Sequence, residues 1–326
     1  MNDITKKVNL AIDQLLPRDK VPVELYHASR HLLKAGGKRL RPFLALKASE
    51  LVGGDIEVAL PVAIAIEFIH NFTLIHDDIM DKDNTRRSVQ TVHVLWGIPI
   101  AITAGDMLFA KAYEVVLDNI DVKKVTPKQL LRIFSAMTKA TILVCEGQAL
   151  DLLYEQKEDV SEKEYLNMIG KKTSALLQLA AKSGAIIGGG RAAQVKKLDQ
   201  FAYYAGLSFQ IMDDVLGLTS EEKVLGKPIG SDIRKGKRTL ITIHALTHAN
   251  NNQRKQILAG LGNSKASLSE LKDIERIFQS LKSIDYAIIQ AKRLEKKAIT
   301  HLLSFPPTPA REALLSLCEY FVTRAY

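Results

Sequence analysis

Cysteine is nearly missing: Cys145 and Cys318 are the only two in 326 residues. Two thiols so far apart cannot make the framework of a disulfide-stapled domain, and no CxxC zinc pair can be built from them. Tryptophan occurs once, and aromatic residues amount to 6%. Strands draw on aromatic and β-branched residues, so a chain rich instead in Ala, Leu and Lys is expected to be helical. Glycine (19) and proline (10) are scarce, which excludes collagen-like, Pro-rich and largely disordered readings. The N-terminal segment MNDITKKVNLAIDQLL lacks a long apolar core followed by small residues, so no signal peptide is read there. The most apolar stretch, LPVAIAIEFI, is interrupted by Glu67 and reads as too short to span a bilayer. No lipidation motif or amphipathic anchor stands out, so a cytoplasmic protein without a stable membrane anchor is expected.

What is present is an ordinary globular composition, 47% apolar and 25% charged. No linker, composition break or solenoid-period repeat divides the chain, so a single domain over 1–326 is expected. The charge is +9, from 45 basic and 36 acidic residues, an excess suited to anionic partners. Nucleic-acid binders usually show a basic stripe with aromatic interleaving or a module signature, and neither occurs, so no nucleic acid is expected. The basic residues gather in short clusters instead: GGKRLRP (36–42), KDNTRR (82–87), GKKTS (170–174) and RKGKR (234–238). Clusters of this kind are usually solvated surface. Several of them converging would suit one polyanionic small molecule.

Apolar residues recur at helical spacing almost throughout. The pattern predicts helices over 2–16, 22–34, 39–52, 57–81, 92–118, 127–156, 161–187, 192–217, 238–262, 268–302 (interrupted) and 308–324. Thr126-Pro127 and the Ser161-Glu164 pair read as N-terminal caps, the second a capping box. Nothing reads as alternating strands. The fold class is all-α, a large helical bundle of about ten or more helices whose functional groups project from facing helices.

The most informative segment is HDDIMD (76–81), at the end of a long apolar run. Asp77 and Asp81 are four apart and project from nearly the same helix face, with Asp78 beside them. Such acids repel one another unless a cation intervenes, and the helix C-terminus disfavours negative charge. Oxygen-only ligands suit Mg²⁺, which readily bridges to phosphate oxygens. A second pair, Asp213-Asp214, lies in the apolar run FQIMDDVLG (209–217). One acid pair alone reads as solvated helix-end charge. Two pairs embedded in apolar helices point to a metal site.

With these motifs on view, the chain resembles the trans-isoprenyl diphosphate synthases of the polyprenyl synthetase family. GGKRLRP, the DDxxD of HDDIMD with Arg86-Arg87 after it, GQALD (147–151), KKTS, FQIMDD and GKPIGSDIRKGK follow in the family's order and spacing. The resemblance implies a homodimer of helical subunits, each with a deep central cavity. The implied reaction is head-to-tail condensation of an allylic diphosphate (dimethylallyl, geranyl or farnesyl) with isopentenyl diphosphate. It further implies that Asp77, Asp78, Asp81, Asp213 and Asp214 hold three Mg²⁺ ions around the allylic diphosphate. Arg86, Lys172, Lys227 and Lys237 would contact that diphosphate. Lys38, Arg41, His70 and Arg87 would form the isopentenyl diphosphate pocket. Thr173 and Gln210 would face the developing carbocation, and Gln148 and Asp151 would back the metal site. Cys145 is expected to pack in the core, as are Phe109, Tyr113 and Phe201.

One departure stands out: a complete second DDxxD would have an acid where Gly217 stands. Asp232 in the GSD segment is the candidate to supply that charge through water. For product length, Thr73 lies one turn before Asp77 on the same face, whereas Phe72 is about 140° around the helix. The family resemblance selects Phe72, an aromatic followed by a small residue, as the arrangement that stops growth at C20. Geranylgeranyl diphosphate is the expected product, with farnesyl diphosphate or longer chains as the neighbouring alternatives. A class I terpene cyclase would not need the Lys38/Arg41/Arg87 pocket, and a non-catalytic partner subunit would not need an intact first acid cluster.

Overall fold

A computed structural model describes residues 2–219 and 230–323 of the chain. It is helical nearly throughout, as the pattern predicts. The helices are α1 (Asn2–Leu15), α2 (Val23–Lys34), α3 (Leu40–Leu51), α4 (Ile56–Met80), α5 (Val92–Asn119), α6 (Pro127–Glu155), α7 (Glu162–Ile169), α8 (Ala175–Ile187), α9 (Ala192–Thr219), α10 (Ser231–Lys235), α11 (Leu240–His248), α12 (Asn251–Gly260), α13 (Leu268–Ser280), α14 (Ser283–Leu302) and α15 (Pro309–Thr323).

Two compact units share these elements. Unit one is drawn from Met1–Thr141, Leu176–Asp199 and Phe305–Leu314, and unit two from Ile142–Ala175, Gln200–Ser304 and Leu315–Tyr326. In unit one, α4 is the central helix, packed on α3 and α5. Its residues from Pro61 to Ile69 are all buried, as expected of a helix apolar on every side. Asp55 caps its start, accepting from the Glu57 N–H at 2.9 Å. Unit two is built on a core that includes Tyr165, Ile211, Met212, Val215, Ile241, Phe278 and Ala287. Its local punctuation is strong. Capping boxes open α7 (Ser161/Glu164), α12 (Asn250/Gln253) and α13 (Ser267/Glu270).

Several details differ from the sequence expectation. A two-stranded antiparallel hairpin pairs Thr85–Arg86 with Val89–Gln90. Its turn residues Arg87 and Ser88 have φ 52° and 62°, positive at both central positions as in a type I′ turn. Strands of two residues are too short to leave an alternating pattern. The single helix expected over 161–187 is interrupted by a π-helical turn at Gly170–Ser174. The stretch 238–262 breaks at Ala249-Asn250, whereas the interruption expected within 268–302 is present, at Lys282 with φ 54°. Cys145 is exposed rather than in the core. The buried stripe of α6 runs through Val144, Gln148 and Asp151, and Cys145 stands about 100° off it.

The expectation that no apolar stretch could span a bilayer also fails. Both α4 and α5 carry windows long and apolar enough to do so. The α4 window is 67% buried, so α4 is a core helix; the α5 window is only 28% buried. Val94, Leu95, Ile98 and Ile102 stand exposed along α5.

Candidate active site

In unit one the chain enters α3 through a turn that few residues can adopt. Gly36 and Gly37 have φ 99° and 135°, and Arg39 has φ 49°. A side chain at Gly37 would crowd the guanidinium groups of Arg39 and Arg87 at 3.1 Å. The glycines therefore let two cations and the backbone share one corner. Lys38 is exposed beside them. Arg41 Nη1 lies 3.1 Å from His70 Nε2. Since arginine can only donate, Nε2 is the acceptor and the ring proton sits on Nδ1. Burial, then the charges of Arg41, Arg87, Arg86 and Arg39, holds the His70 pKa well below its usual value, so the ring is neutral. The Arg87 Nη1 atom donates to Leu32 O at 2.8 Å and also to Gly36 O. The four residues expected to form the isopentenyl diphosphate pocket thus share one neighbourhood.

The first acid motif ends α4, with Asp81 as its C-cap. Asp78 is 1% exposed. One of its oxygens accepts from Arg86 Nε at 2.6 Å, and Arg86 also reaches Asp77 at 3.6 Å. The other oxygen, Oδ2, is buried with no hydrogen-bond partner. Burial raises the Asp78 pKa to about 6, against the opposing pull of Arg86. Phe72 meets His76 edge-on at 5.0 Å and Phe109 at 5.4 Å; Phe109 meets Tyr113 at 5.3 Å, and Tyr113 stacks on Phe134 at 6.0 Å. Phe72 therefore heads a column of aromatic rings on α4, α5 and α6. The Thr73 hydroxyl is turned back onto His70 O at 2.8 Å.

In unit two, the π-helical turn carries Lys172 and Thr173. A side chain at Gly147 would run into the backbone of Lys172, so the glycine of GQALD permits this close approach. Lys172 and Lys237 both reach Asp151 Oδ2, at 2.6 and 2.7 Å, and Lys237 also meets Glu155 at 2.7 Å. Thr173 Oγ1 donates to Gln210 Oε1 at 2.6 Å, and Gln210 Nε2 donates to Asp214 Oδ1 at 2.9 Å. The Tyr165 hydroxyl completes the chain, donating to Asp214 Oδ2 at 2.6 Å. Burial and then the Asp232 charge raise the Asp214 pKa to about 8, with Tyr165 and Gln210 opposing. The position left bare by Gly217 is taken up from outside: a side chain there would begin 3.0 Å from Asp232 Oδ2. A gap of ≈ 10 Å³ lined by Asp214, Gly217 and Asp232, among others, is the size of one water. Lys227 lies outside the described residues.

The donor set fits Mg²⁺. The carboxylates are oxygen ligands, and a buried carboxylate oxygen of Asp78 lacks a partner. Among the described residues no three His, Cys, Asp or Glu side chains form a ready-made cage. Mg²⁺ suits such an arrangement, because it takes one or two carboxylates and completes its shell with water and substrate phosphates.

The polyprenyl synthetase sequence pattern matches residues 22–278. The chain belongs to the polyprenyl synthetase family. A geranylgeranyl diphosphate synthase of Sulfolobus acidocaldarius is 42% identical over 325 residues, 99% of this chain and 97% of that one. A short chain isoprenyl diphosphate synthase of Methanothermobacter thermautotrophicus is 43% identical over 327 residues, 99% of this chain and 98% of that one. The crystal structure of a Pyrococcus horikoshii geranylgeranyl pyrophosphate synthetase superposes with a TM-score of 0.91 at 43% identity, covering 99% of this chain and 98% of that one. Within this polyprenyl synthetase three participants escaped the motif reading: Arg39, Glu67 and Tyr165. Glu67 read only as a break in an apolar run, and Tyr165 carried no signal that set it apart.

The raised Asp214 pKa has a consequence for stability. The folded protein retains a proton that the unfolded chain, with an aspartate pKa near 3.9, has released. Stability supplied below pH 4 is therefore lost as pH rises towards 8. Between pH 6.5 and 8 the neutral His70 no longer contributes. Urea unfolding in EDTA should show wild-type stability falling across this window by no more than about 1.4 kcal/mol per pH unit. Asp214→Asn should flatten the slope; an equally sloped Asn variant would contradict the assignment.

Proposed function

We propose that the chain is a trans-prenyltransferase that condenses isopentenyl diphosphate with dimethylallyl, geranyl and farnesyl diphosphates, ending at geranylgeranyl diphosphate. The observation that carries this reading is the basic corner of Lys38, Arg41, His70 and Arg87 in the same unit as an intact acid motif. A cyclase acting on one diphosphate has no use for a second anion pocket. The relatives named as geranylgeranyl diphosphate synthases support the same reading.

Asp77, Asp78 and Asp81 are proposed Mg²⁺ ligands, as are Asp213 and Asp214, with three ions in all. When bound, Mg²⁺ supplies the positive charge that a departing diphosphate requires. Arg86, Lys172, Lys227 and Lys237 are the proposed contacts to the allylic diphosphate. Lys172 and Lys237 are held for that task by Asp151, whose single carboxylate offsets only part of their charge, and Gln148 belongs to the same helix face. Lys38, Arg41 and Arg87 orient the isopentenyl diphosphate, and the neutral His70 fixes Arg41 without adding charge. Thr173 and Gln210 turn oxygen atoms towards developing positive charge. A carbocation must be kept from water, which would quench it to an alcohol. Phe72, with small Thr73 beside it, is the proposed floor for the growing chain. The exposed apolar ridge of α5 supports a homodimer, and the protein is proposed to act in the cytoplasm.

Radiolabelled isopentenyl diphosphate incorporation should be abolished by EDTA and restored by Mg²⁺. Asp213→Ala should lower kcat by roughly 10²-fold or more, the scale of losing a transition-state charge stabiliser; near-normal turnover would contradict the ligand assignment. Phe72→Ala should lengthen the main product by at least one C5 unit in chromatography of the dephosphorylated prenols. An unchanged product spectrum would remove Phe72 as the floor.

A further inference from the structure

Arg39 and Glu67 form an ion pair at 2.9 Å with side chains only 2% and 3% exposed. Burying such a pair is a weak source of stability, because desolvation offsets the attraction, so its presence calls for another reason. Arg39 distributes its donors over three helices of unit one and the turn at Gly36. Nε donates to Asn9 Oδ1 of α1 at 2.9 Å, Nη2 to Leu33 O at the end of α2 at 2.5 Å, and Nη1 to Glu67 of α4 and, at 3.4 Å, to Gly36 O. Glu67 Oε1 also accepts from Asn71 Nδ2 at 3.2 Å. Two features tie the pair to its neighbours. The Gly36 carbonyl that receives Arg39 also receives Arg87. Glu67 precedes His70 by three residues, on one face of α4. Burial lowers the Arg87 pKa, and the Glu67 carboxylate is the strongest influence holding it up.

We propose that Glu67 and Arg39 are positioning residues for isopentenyl diphosphate: the buried pair locks the turn from which Lys38 and Arg41 project and, through Gly36 O, sets the Arg87 guanidinium. This rests on the prenyltransferase reading above. The left-handed backbone of Arg39 (φ 49°, ψ 40°) is held by these bonds, and the Glu67 carboxylate acts on both Arg39 and Arg87.

The test is steady-state kinetics with Mg²⁺, varying isopentenyl diphosphate and farnesyl diphosphate in turn, with a thermal melt of each variant. Glu67→Gln keeps the shape and removes the charge. It should raise KM for isopentenyl diphosphate on the order of tenfold, the effect of misplacing one charged contact. KM for farnesyl diphosphate and kcat should stay within about threefold, the pattern of lost ground-state binding of one substrate. Arg39→Lys should behave likewise, since an ammonium cannot make the forked contacts. Should Glu67→Gln fail to fold, the double variant Arg39→Met/Glu67→Leu replaces the pair by apolar side chains of similar volume and leaves no buried charge unpaired; it should fold and show the same selective rise. Variants that melt lower yet keep the wild-type KM for isopentenyl diphosphate would overturn the proposal. Wild-type protein unable to use isopentenyl diphosphate would instead overturn the reading on which it rests.

Discussion

Charge gathered inside a helical protein must be balanced, and the way each cluster is balanced here separates structural charge from charge available to a ligand. Arg39 and Glu67 pair with each other and are shut away from solvent. Asp151 is balanced by Lys172 and Lys237, whose charges hold its carboxyl below the usual range despite burial. Asp78 is half balanced, with one oxygen on Arg86 and one left over. Asp214 has only neutral donors, Tyr165 and Gln210, and keeps its proton to about pH 8. Only the Asp78 cluster has a buried carboxylate oxygen left over for a cation, while the corner at Gly36–Arg41 gathers positive charge suited to an anion. These opposite demands explain a diphosphate chemistry better than any single motif does.

The backbone geometry serves the same end. Two groups of positive-φ residues lie where cations crowd together: Gly36, Gly37 and Arg39, and Arg87 with Ser88. The π-helical turn at Gly170–Ser174 lies where the bare Gly147 backbone admits it, and Lys172 and Thr173 issue from it. Turns of this kind recur at functional sites because the extra residue redirects side chains without ending the helix.

Much of this was legible in the sequence, and the misses have physical causes. Helix positions follow from apolar spacing, and the capping box at Ser161 was readable because its partners are three residues apart. Acid and basic motifs were legible because polar residues in apolar runs are conspicuous. Tertiary pairing was not. Nothing local distinguishes Glu67 as the partner of Arg39, 28 residues earlier, or Tyr165 as the donor to Asp214, 49 residues later. The π-helical turn escaped because its flanking residues keep right-handed helical dihedrals. Gly217 read as a departure in the second motif with Asp232 as the candidate to supply the charge, and the folded chain puts an Asp232 carboxylate oxygen 3.0 Å from where a side chain at 217 would begin.

Calorimetric titration with isopentenyl diphosphate and with a non-ionising allylic analogue, farnesyl thiodiphosphate, each in EDTA and in Mg²⁺, addresses the division of labour most directly. The account predicts that isopentenyl diphosphate binds under both conditions, held by side-chain cations, and that the allylic analogue binds tightly only with Mg²⁺. Equal affinity of the allylic analogue with and without the metal would contradict it.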